Sequence, residues 1–414
     1  MCCLINTNVY LHPQVIRRGL LVLAGIVWVA CVVVVGPAVV HAQLQGPAVK
    51  IGSIASTEGP WGAPGVKNVI GVRLGVEQLN TLGGFNGVPV KLFEYETHAK
   101  FDEIPNIMRR LIAVDEVLAI IGSIPSGECE VSFPIANQLK TPIIAISPAK
   151  EGLMNNNRPW AFRLGAPDTD TTAPVIESVV KEKGIKKVAI ITDVKDAMTK
   201  FMGTVFWPSL LKQLGVQNLT EEDKVTFQSE DPSVAAQVTK LKSMNPDAIV
   251  LSAASGDAGK IAVEIRRQGM TQQLLGGSAI AAGGPQYILA GGPAAEGTIT
   301  AAQFRPDDPD PEVQRIIKEI ETRIGEKITE FHARARDSVF MAAEAIKKGG
   351  VTNRPQDLER DRARIMQALD NGLKIKGASG PHATQPKTGE CLRPILRATV
   401  VRGKWELKVI KTID

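Results

Sequence analysis

The chain has 414 residues, of which 44% are hydrophobic and 22% charged, so it can bury one large core or two medium-sized cores. Its formal net charge is +5, and the basic residues are scattered along the chain. This balance excludes the strongly basic patterns of nucleic-acid-binding proteins, and we expect no nucleic-acid partner.

The N-terminal segment predicts export from the cytoplasm. Arg17 and Arg18 precede an uncharged apolar run over residues 19–40, and the sequence VHA ends at Ala42. These features are typical of a secretory signal peptide, so we expect residues 1–42 to be cleaved and the protein to be periplasmic. The apolar run is also long enough to span a bilayer, so retention as an anchor stays open.

Cysteine usage leaves the redox question open. Cys129 and Cys391 are the cysteines that remain beyond the signal peptide. An oxidising compartment permits a disulfide between them, but two cysteines so far apart in sequence do not establish one.

Strand and helix patterns alternate from residue 49 onwards. The first run comprises strand 49–54, helix 65–79, strand 88–95, helix 102–114, and strands 117–121 and 143–146 with a helix between them. Residues 163–170 show no clear periodicity and contain Pro167, so we interpret them as a crossing to a second domain.

The alternation then restarts and continues to the end of the chain. The second run comprises helix 174–183, strand 187–192, helix 199–214 with a kink at Pro208, strand 225–228, helix 232–244, strand 248–252, helix 256–268, strands 274–277 and 298–302, helices 312–324, 332–347 and 356–369, and a closing hairpin 393–401 and 405–410. Residues 376–389, rich in Gly, Pro, Ser and Thr, form the one loose stretch. Two runs of βαβ units predict an α/β fold with two doubly wound parallel-sheet lobes.

The stretch from Ile120 to Ala149 carries the clearest functional signal. It predicts two buried parallel strands with a helix between them, and each strand ends in small and polar residues. Ligands of open α/β sheets bind beyond the carboxyl ends of the strands. At the start of the helix, free backbone N–H groups around Gly127 and the Ser126 hydroxyl favour a carboxylate or another anion. An ordinary N-cap serine without a ligand explains the same residues.

The sequence contains no recognisable catalytic motif. It has no G-x-S-x-G elbow, no H-E-x-x-H pair and no P-loop, and the histidines beyond residue 42 lack zinc-site spacing. Cys129 has no histidine near it in sequence. We therefore predict a protein that is not an enzyme and that uses no cofactor and no metal.

Several segments together resemble a known family. They are, in chain order, GPWG at residues 59–62, LNTLGGFNG at 79–87, IIG-x-x-x-SG at 120–127, PIIAISPA at 142–149 and WAFRLGAPD at 160–168. Their order and spacing resemble the periplasmic leucine/isoleucine/valine-binding proteins, the substrate-binding components of ABC-type importers. The resemblance implies two α/β lobes joined by a three-strand hinge, with a ligand cleft between them. By that pattern the first lobe comprises residues 43–166 plus 303–377, and the second comprises 167–302 plus 378–414.

The resemblance also implies a set of ligand-binding positions. Ser126, with Gly127 beside it, matches the serine that binds the ligand carboxylate, and Ala149 matches the position whose backbone contacts an amino-acid head group. Asp168 matches an aspartate of the crossing near the ligand, and Trp61 lies in a loop that usually forms an apolar wall. Capping of a helix by Asp168 and simple packing of Trp61 are the structural alternatives.

Two positions depart from the family pattern. Glu151 stands where amino-acid binders have a threonine that contacts the head group, and Met198 falls roughly where many members have a tyrosine that closes over the ligand. Glu151 as a solvated residue and Met198 as part of a helix core are the structural alternatives. These departures affect the expected ligand and not the expected fold.

We therefore expect a monomeric periplasmic protein that binds a small carboxylate-bearing solute and delivers it to the membrane permease of an ABC importer. A branched-chain or other amino acid is the expected solute. An aromatic or other organic acid, and a sensor role for the same fold, stay open as alternatives.

Overall fold

The computed structural model of the protein describes residues 44–195, 197–229, 231–282 and 284–412. The signal peptide predicted for residues 1–42, and with it the choice between cleavage and retention, lies outside these residues. Within the described ranges, no helix is both long and apolar enough to cross a bilayer.

The first sheet is entirely parallel. Its strands are β1 Val49–Ala55, β2 Val90–Glu96, β3 Ala119–Ile121, β4 Ile143–Ala145 and β5 Ala161–Arg163. Their order is β2-β1-β3-β4-β5, with Ile120 paired to Ile143 in the centre. The apolar strands β3 and β4 are fully buried, which confirms the prediction for both. Strand β5 was not predicted, because three residues are too few to show a period.

The helices of this part of the chain are α1 Gly62–Thr81, α2 Ile104–Arg109 and α3 Ser126–Gln138. A 3₁₀ turn, Gly59–Trp61, precedes α1, and a π-helical turn, Arg110–Val114, extends α2. Helix α3 is the next element after β3 and follows it by a short loop, so its first turn lies at the carboxyl edge of the first sheet.

The second sheet begins with β6 Lys187–Asp193, β7 Gln217–Asn218, β8 Val225–Phe227, β9 Ala248–Ser252, β10 Gln273–Gly276 and β11 Ile299–Ala302. Its helices are α4 Asp168–Lys183, α5 Ala197–Phe201, α6 Trp207–Gln213, α7 Ala235–Met244, α8 Ser255–Arg267, α9 Ser278–Ala282 and α10 Gln286–Gly291, with a 3₁₀ turn at Gly292–Ala295. Helix α4 begins six residues before the predicted start and contains Pro174 in its interior. The kink predicted at Pro208 corresponds to a π-helical turn, Met202–Phe206, just before that proline.

The chain then returns to the first sheet through α11 Pro311–Ile324, α12 Glu330–Gly349 and α13 Leu358–Asp370, with a 3₁₀ turn at Pro355–Asp357. Helix α12 packs closely on α1 because Gly71 has no side chain. A Cβ atom there would lie only 2.5 Å from the backbone oxygen of His332.

A third, antiparallel sheet includes residues 376–377 and 380–384 of the loose stretch predicted at 376–389, so that prediction was wrong for these residues. Its strands are β12 Lys374–Gly377, β13 Gly380–Thr384 and β14 Cys391–Leu392. The buried Asp337 carboxylate of α12 orders the turn between β12 and β13, because it accepts hydrogen bonds from the backbone N–H groups of Ala378 at 2.9 Å and Ser379 at 2.7 Å. A carboxylate from a distant helix therefore fixes a segment whose composition is typical of a loop.

The last two strands, β15 Ile395–Val401 and β16 Lys404–Lys411, form the predicted hairpin and join the second sheet. The sheet order is β16-β15-β11-β10-β9-β6-β7, with β8 beside β6. Strand β15 runs antiparallel to β11, which makes this sheet mixed. The fold is thus α/β, with two lobes that are each built on one large sheet.

Three segments, which we call the crossings, link elements that pack on different large sheets: residues 164–167 join β5 to α4, 303–310 join β11 to α11, and 393–394 join β14 to β15. The buried Arg393 guanidinium donates hydrogen bonds to the backbone oxygens of Leu164 at 3.4 Å and of Gln303. The Gln303 side chain in turn bonds both the N–H and the C=O of Ala166, each at 3.2 Å. Side chains of two crossings therefore hold all three crossings together.

The lobe boundary predicted at 377/378 falls between the paired strands β12 and β13. Both strands belong to the sheet that Asp337 of α12 orders, so they stay on the side of the first lobe. We propose that the third crossing lies at residues 393–394.

Burial of His382 in β13 predicts a pH-dependent stability. Burial lowers the pKa of His382 to about 4, the nearby Asp337 raises this pKa, and Arg393 and Arg334 lower it. In the unfolded chain His382 has a pKa of ~6.5 and is protonated below that pH, whereas in the folded chain it stays neutral down to about pH 4. The free energy of unfolding should therefore fall by up to about 3 kcal/mol from this residue as the pH drops from ~6.5 to ~4.

Urea denaturation at several pH values across this range measures the effect. His382→Gln should give a shallower loss of stability on acidification than the wild type. The loss is reduced rather than abolished, because burial also lowers the pKa of His332 to about 4. An equal loss of unfolding free energy on acidification in the variant and the wild type would contradict the assignment of this effect to His382.

Candidate ligand-binding site

The loops that follow β3 and β4 meet at the carboxyl edge of the first sheet. Ser126 is the first residue of α3, and its Oγ accepts a hydrogen bond from the backbone N–H of Lys150 at 3.1 Å. This contact brings Ser126 and Gly127 next to Ala149 and Glu151, as the sequence predicted for neighbouring parallel strands.

This edge carries backbone donors without acceptors. The oxygen of Pro125 accepts from the N–H groups of Glu128 at 3.1 Å and Cys129 at 3.2 Å, which starts the helix. Among the described residues, the N–H groups of Ser126, Gly127 and Ala149 have no hydrogen-bond acceptor. The Ser126 hydroxyl accepts the Lys150 bond and can still donate its own hydrogen. Free N–H groups at the positive end of a helix dipole suit an anion.

A buried arginine orients the loop that contains Ala149. Arg163 of β5 is 0% exposed and donates Nη1 hydrogen bonds to the backbone oxygens of Pro148 at 3.0 Å and Lys150 at 2.8 Å. Because C=O and N–H point in opposite directions across a trans peptide, the N–H groups of Ala149 and Glu151 point away from Arg163. The Arg163 Nε donates to the Glu390 carboxylate, which supplies the compensating charge.

A second buried arginine links this loop to the crossings. Arg334 of α12 donates to the Ser147 hydroxyl at 2.9 Å and to Gln303 Oε1 at 3.1 Å, and it forms an ion pair with Glu330 at 3.3 Å. The hydrogen-bonded chain therefore runs from the end of β4 to the second crossing.

Asp168 lies on the second lobe beside this network. It is the first residue of α4, is 5% exposed, and accepts a hydrogen bond from the Ser278 hydroxyl. Burial raises the pKa of the Asp168 carboxyl, and the hydrogen bond from Ser278 opposes that rise. A cation placed against Asp168 would favour the ionised form of its carboxyl.

The three remaining predicted residues occupy different environments. Trp61 is half-buried in the 3₁₀ turn before α1, at the carboxyl end of β1. Glu151 is exposed, and Met198 of α5 is half-buried and packs against the core of the second sheet. The structure thus groups Ser126, Gly127, Ala149 and Glu151, and it places Met198 among core residues.

The sequence analysis missed Glu128. This residue of α3 is 0% exposed and accepts hydrogen bonds from the hydroxyls of Thr97, at 2.7 Å, and Ser123. Burial raises the pKa of its carboxyl, and the two hydroxyl bonds oppose that rise. Glu128 therefore joins the loops after β2 and β3. A carboxylate two residues after a candidate ligand-binding serine was the available signal.

Arg163 and Arg334 were missed as well. Arg163 follows two apolar residues in WAFR, where a charge in a strand indicates a buried partner. Arg334 gave no local signal of its link to the crossings, because Ser147 and Gln303 lie 187 and 31 positions away in sequence.

The thiols show no sign of activation. Cys129 and Cys391 are both free and buried, so the structure contains no disulfide between them. Burial raises the pKa of each thiol, which opposes formation of a nucleophilic thiolate. Among the described residues, no group of three or more His, Cys, Asp or Glu side chains is placed to hold a metal ion.

Two surface cavities lie away from the loops that follow β3 and β4, and no residue of those loops lines either of them. One, of about 390 Å³, lies between α1 and the end of β2, and the other, of about 180 Å³, lies beside β6 and β8. None of the seven predicted site residues lines either cavity. We place the candidate site at the strand ends because the unpaired donors converge there.

Two α/β lobes joined by three crossings, with unpaired donors at the strand ends of one lobe, define the class of two-lobe solute-binding proteins. The chain matches the family model of the periplasmic binding proteins over residues 48–404 and belongs to that family. Membership of this family implies an extracytoplasmic location.

Known proteins support the same class. An "amino acid binding protein" from Pseudomonas aeruginosa is 24% identical over 227 residues, which cover 53% of this chain and 59% of that protein. The chain therefore spans little more than half the length of this relative.

Solved structures match over most of both chains. The fold is similar to that of a branched-chain amino acid transporter substrate-binding protein from Streptococcus pneumoniae in complex with isoleucine, with 21% identity, coverage of 88% and 99%, and a TM-score of 0.71. It is also similar to a solute-binding protein of an ABC transporter from Rhodopseudomonas palustris in complex with 3,4-dihydroxybenzoic acid, with 19% identity, coverage of 89% and 97%, and a TM-score of 0.72.

The Arg163–Glu390 pair can be tested by a double-mutant cycle. Arg163→Met should lower the free energy of unfolding by about 3–5 kcal/mol, because it leaves the Glu390 carboxylate without its partner. Adding Glu390→Gln should recover part of that loss, since no uncompensated charge then remains. Urea denaturation of the two single variants and the double variant measures the coupling. Simple additivity of the two single effects would show that the pair does not act as a unit.

Proposed function

We propose that the protein captures a small carboxylate-bearing solute outside the cytoplasm and delivers it to the permease of an ABC-type importer. The observation that carries this proposal is the group of unpaired N–H donors at Ser126, Gly127 and Ala149, beside a serine hydroxyl that can still donate. Hydrogen bonds from such groups to a carboxylate are among the stronger ones in proteins. Isoleucine and 3,4-dihydroxybenzoic acid, the ligands of the two similar structures, both contain a carboxyl group.

Binding would act through closure of the two lobes. Ser126 and Ala149 belong to the first lobe, whereas Asp168 and its partner Ser278 belong to the second. A solute that contacts both groups stabilises the closed arrangement relative to the open one. The permease would recognise that closed, monomeric form.

An amino acid is the solute that we propose first. The relative from Pseudomonas aeruginosa is named an amino acid binding protein, and an amino acid needs an acidic partner for its ammonium group. Glu151 lies beside the unpaired donors and Asp168 lies on the opposite lobe, so each is placed to supply that charge.

An organic acid without an amino group is the second candidate. The observation that favours it is the exposure of Glu151, because a solvated carboxylate attracts an ammonium ion only weakly. Asp168 already accepts a hydrogen bond from Ser278, and burial raises its pKa. Both features favour a solute without an ammonium group.

A thermal-shift screen with Ser126→Ala tests the carboxylate proposal. Solutes that bind only the folded protein raise its melting temperature, so amino acids and aromatic or aliphatic acids should stand out from neutral amides and sugars. Ser126→Ala should weaken binding of the tightest-binding solute by about 1–3 kcal/mol in calorimetry, because a hydrogen bond to a charged group is lost.

Ser132→Ala is the matched control for that measurement. Ser132 lies buried on the same helix and its hydroxyl has no hydrogen-bond partner among the described residues, so its loss should not change the affinity. Equal affinities of wild type and Ser126→Ala would move the site away from α3.

Glu151→Gln separates the two head groups. If Glu151 pairs with a ligand ammonium, the variant should bind an amino acid at least several-fold more weakly and the matching deaminated acid unchanged. Glu177→Gln, an exposed carboxylate on α4, is the control and should change neither affinity. If the amino acid and the deaminated acid bind with equal affinity to wild type, and also with equal affinity to Glu151→Gln, the amino-acid proposal is rejected and the organic acid is favoured.

A further inference from the structure

An exposed aromatic ring lies directly on the start of α3. Phe101 follows β2 and is 51% exposed. A Cβ atom built on Gly127 would lie only 2.9 Å from Cζ and 3.2 Å from Cε2 of this ring, so the tip of the ring touches the Gly127 backbone. Only a glycine at residue 127 permits that approach. Phe101 therefore lies beside the unpaired N–H groups of Ser126 and Gly127.

The loop that carries Phe101 is held firmly. The Thr97 N–H donates to the oxygen of Ala55 at 2.9 Å, and the Lys100 N–H donates back to Thr97 at 2.8 Å. The Thr97 hydroxyl donates to the buried Glu128 carboxylate of α3 at 2.7 Å. One carboxylate thus fixes the position of the Phe101 loop relative to the helix that starts at Ser126.

The loop that carries Trp61 is fixed to the same segment. The Glu96 carboxylate at the end of β2 accepts from the N–H of Thr57 at 2.9 Å and from the N–H of His98 at 3.0 Å. A Cβ atom on Gly59 would lie 3.1 Å from the Ala99 side chain, so the two loops are in contact. The loops after β1, β2 and β3 therefore form one connected rim, in which Phe101 contacts Gly127.

We propose that Phe101 determines specificity for the body of the solute, by forming an aromatic wall next to the carboxylate-binding end of α3. The inference rests on the proposed function and extends it to the class of solute. A carboxylate bound at the N–H groups of α3 places the atoms attached to it beside the exposed part of the ring. A flat aromatic or bulky apolar body then covers that surface and removes it from water, whereas a small body leaves it wet.

Matched probe pairs isolate the body from the head group. L-Phenylalanine against L-alanine, and benzoate against propanoate, share a head group within each pair and differ in the ring. In wild-type protein the ring-bearing member of at least one pair should bind more tightly. Phe101→Ala should weaken that member about tenfold, which is the scale of one aromatic contact, and should leave its ring-free partner within about twofold. Phe101→Leu should lie between these values.

Gly127→Ala supplies a second, independent variant. Its Cβ would displace the ring of Phe101, so it should weaken the ring-bearing probe more than the ring-free one. In the Phe101→Ala background the same change meets no ring and should add little for that probe. Leu289→Ala, which truncates a 77% exposed side chain on α10, is the control and should change no affinity.

Four results would overturn the inference. One is a wild-type protein that prefers the ring-free member of both pairs, and another is an equal loss for both members of a pair in Phe101→Ala. If the probes bind and only Ser126→Ala weakens them, the assignment of Phe101 fails while the proposed function stands. If none of the four probes and no other carboxylate binds, both fail together.

Discussion

The buried guanidinium of Arg163 fixes two peptide groups of the loop after β4, and the geometry of the candidate site depends on this contact. Because the oxygens of Pro148 and Lys150 accept hydrogen bonds from Arg163, the N–H groups of Ala149 and Glu151 point away from Arg163. A charge at 0% exposure would be very costly alone, and the Glu390 carboxylate offsets that cost. Burial of the pair costs desolvation energy, and its result is a defined orientation of the backbone donors.

The same arrangement connects ligand-facing loops with the segments between the lobes. Arg334 contacts both Ser147 at the end of β4 and Gln303 in the second crossing, and Arg393 contacts the first and second crossings. Buried polar groups that are satisfied in one arrangement oppose intermediate geometries, because each displaced bond leaves a buried donor or acceptor unpaired. Motion between the lobes would therefore occur about these crossings as a change between discrete states.

The first lobe combines unpaired backbone donors with a rim of loops that are hydrogen-bonded to one another. Glu96 and Glu128 tie together the loops after β1, β2 and β3. Less conformational entropy is then lost when a solute binds, so more of the interaction energy appears as affinity. In the proposed function the donors bind a carboxylate, which many solutes share, and Phe101 distinguishes one solute body from another.

The sequence alone determined the fold class, because apolar runs and helical periods are local properties of the chain. It also placed Ser126, Gly127 and Ala149 at one edge of the first sheet, since parallel strands have their carboxyl ends on the same side. Tertiary structure decided what local patterns do not contain. The sheet formed by β12, β13 and β14 depends on Asp337, and the Arg334–Ser147 bond joins residues 187 positions apart. The contact of Phe101 with Gly127 likewise depends on packing. Such contacts follow from the direction of side chains in the folded chain, and periodicity in a sequence does not record that direction.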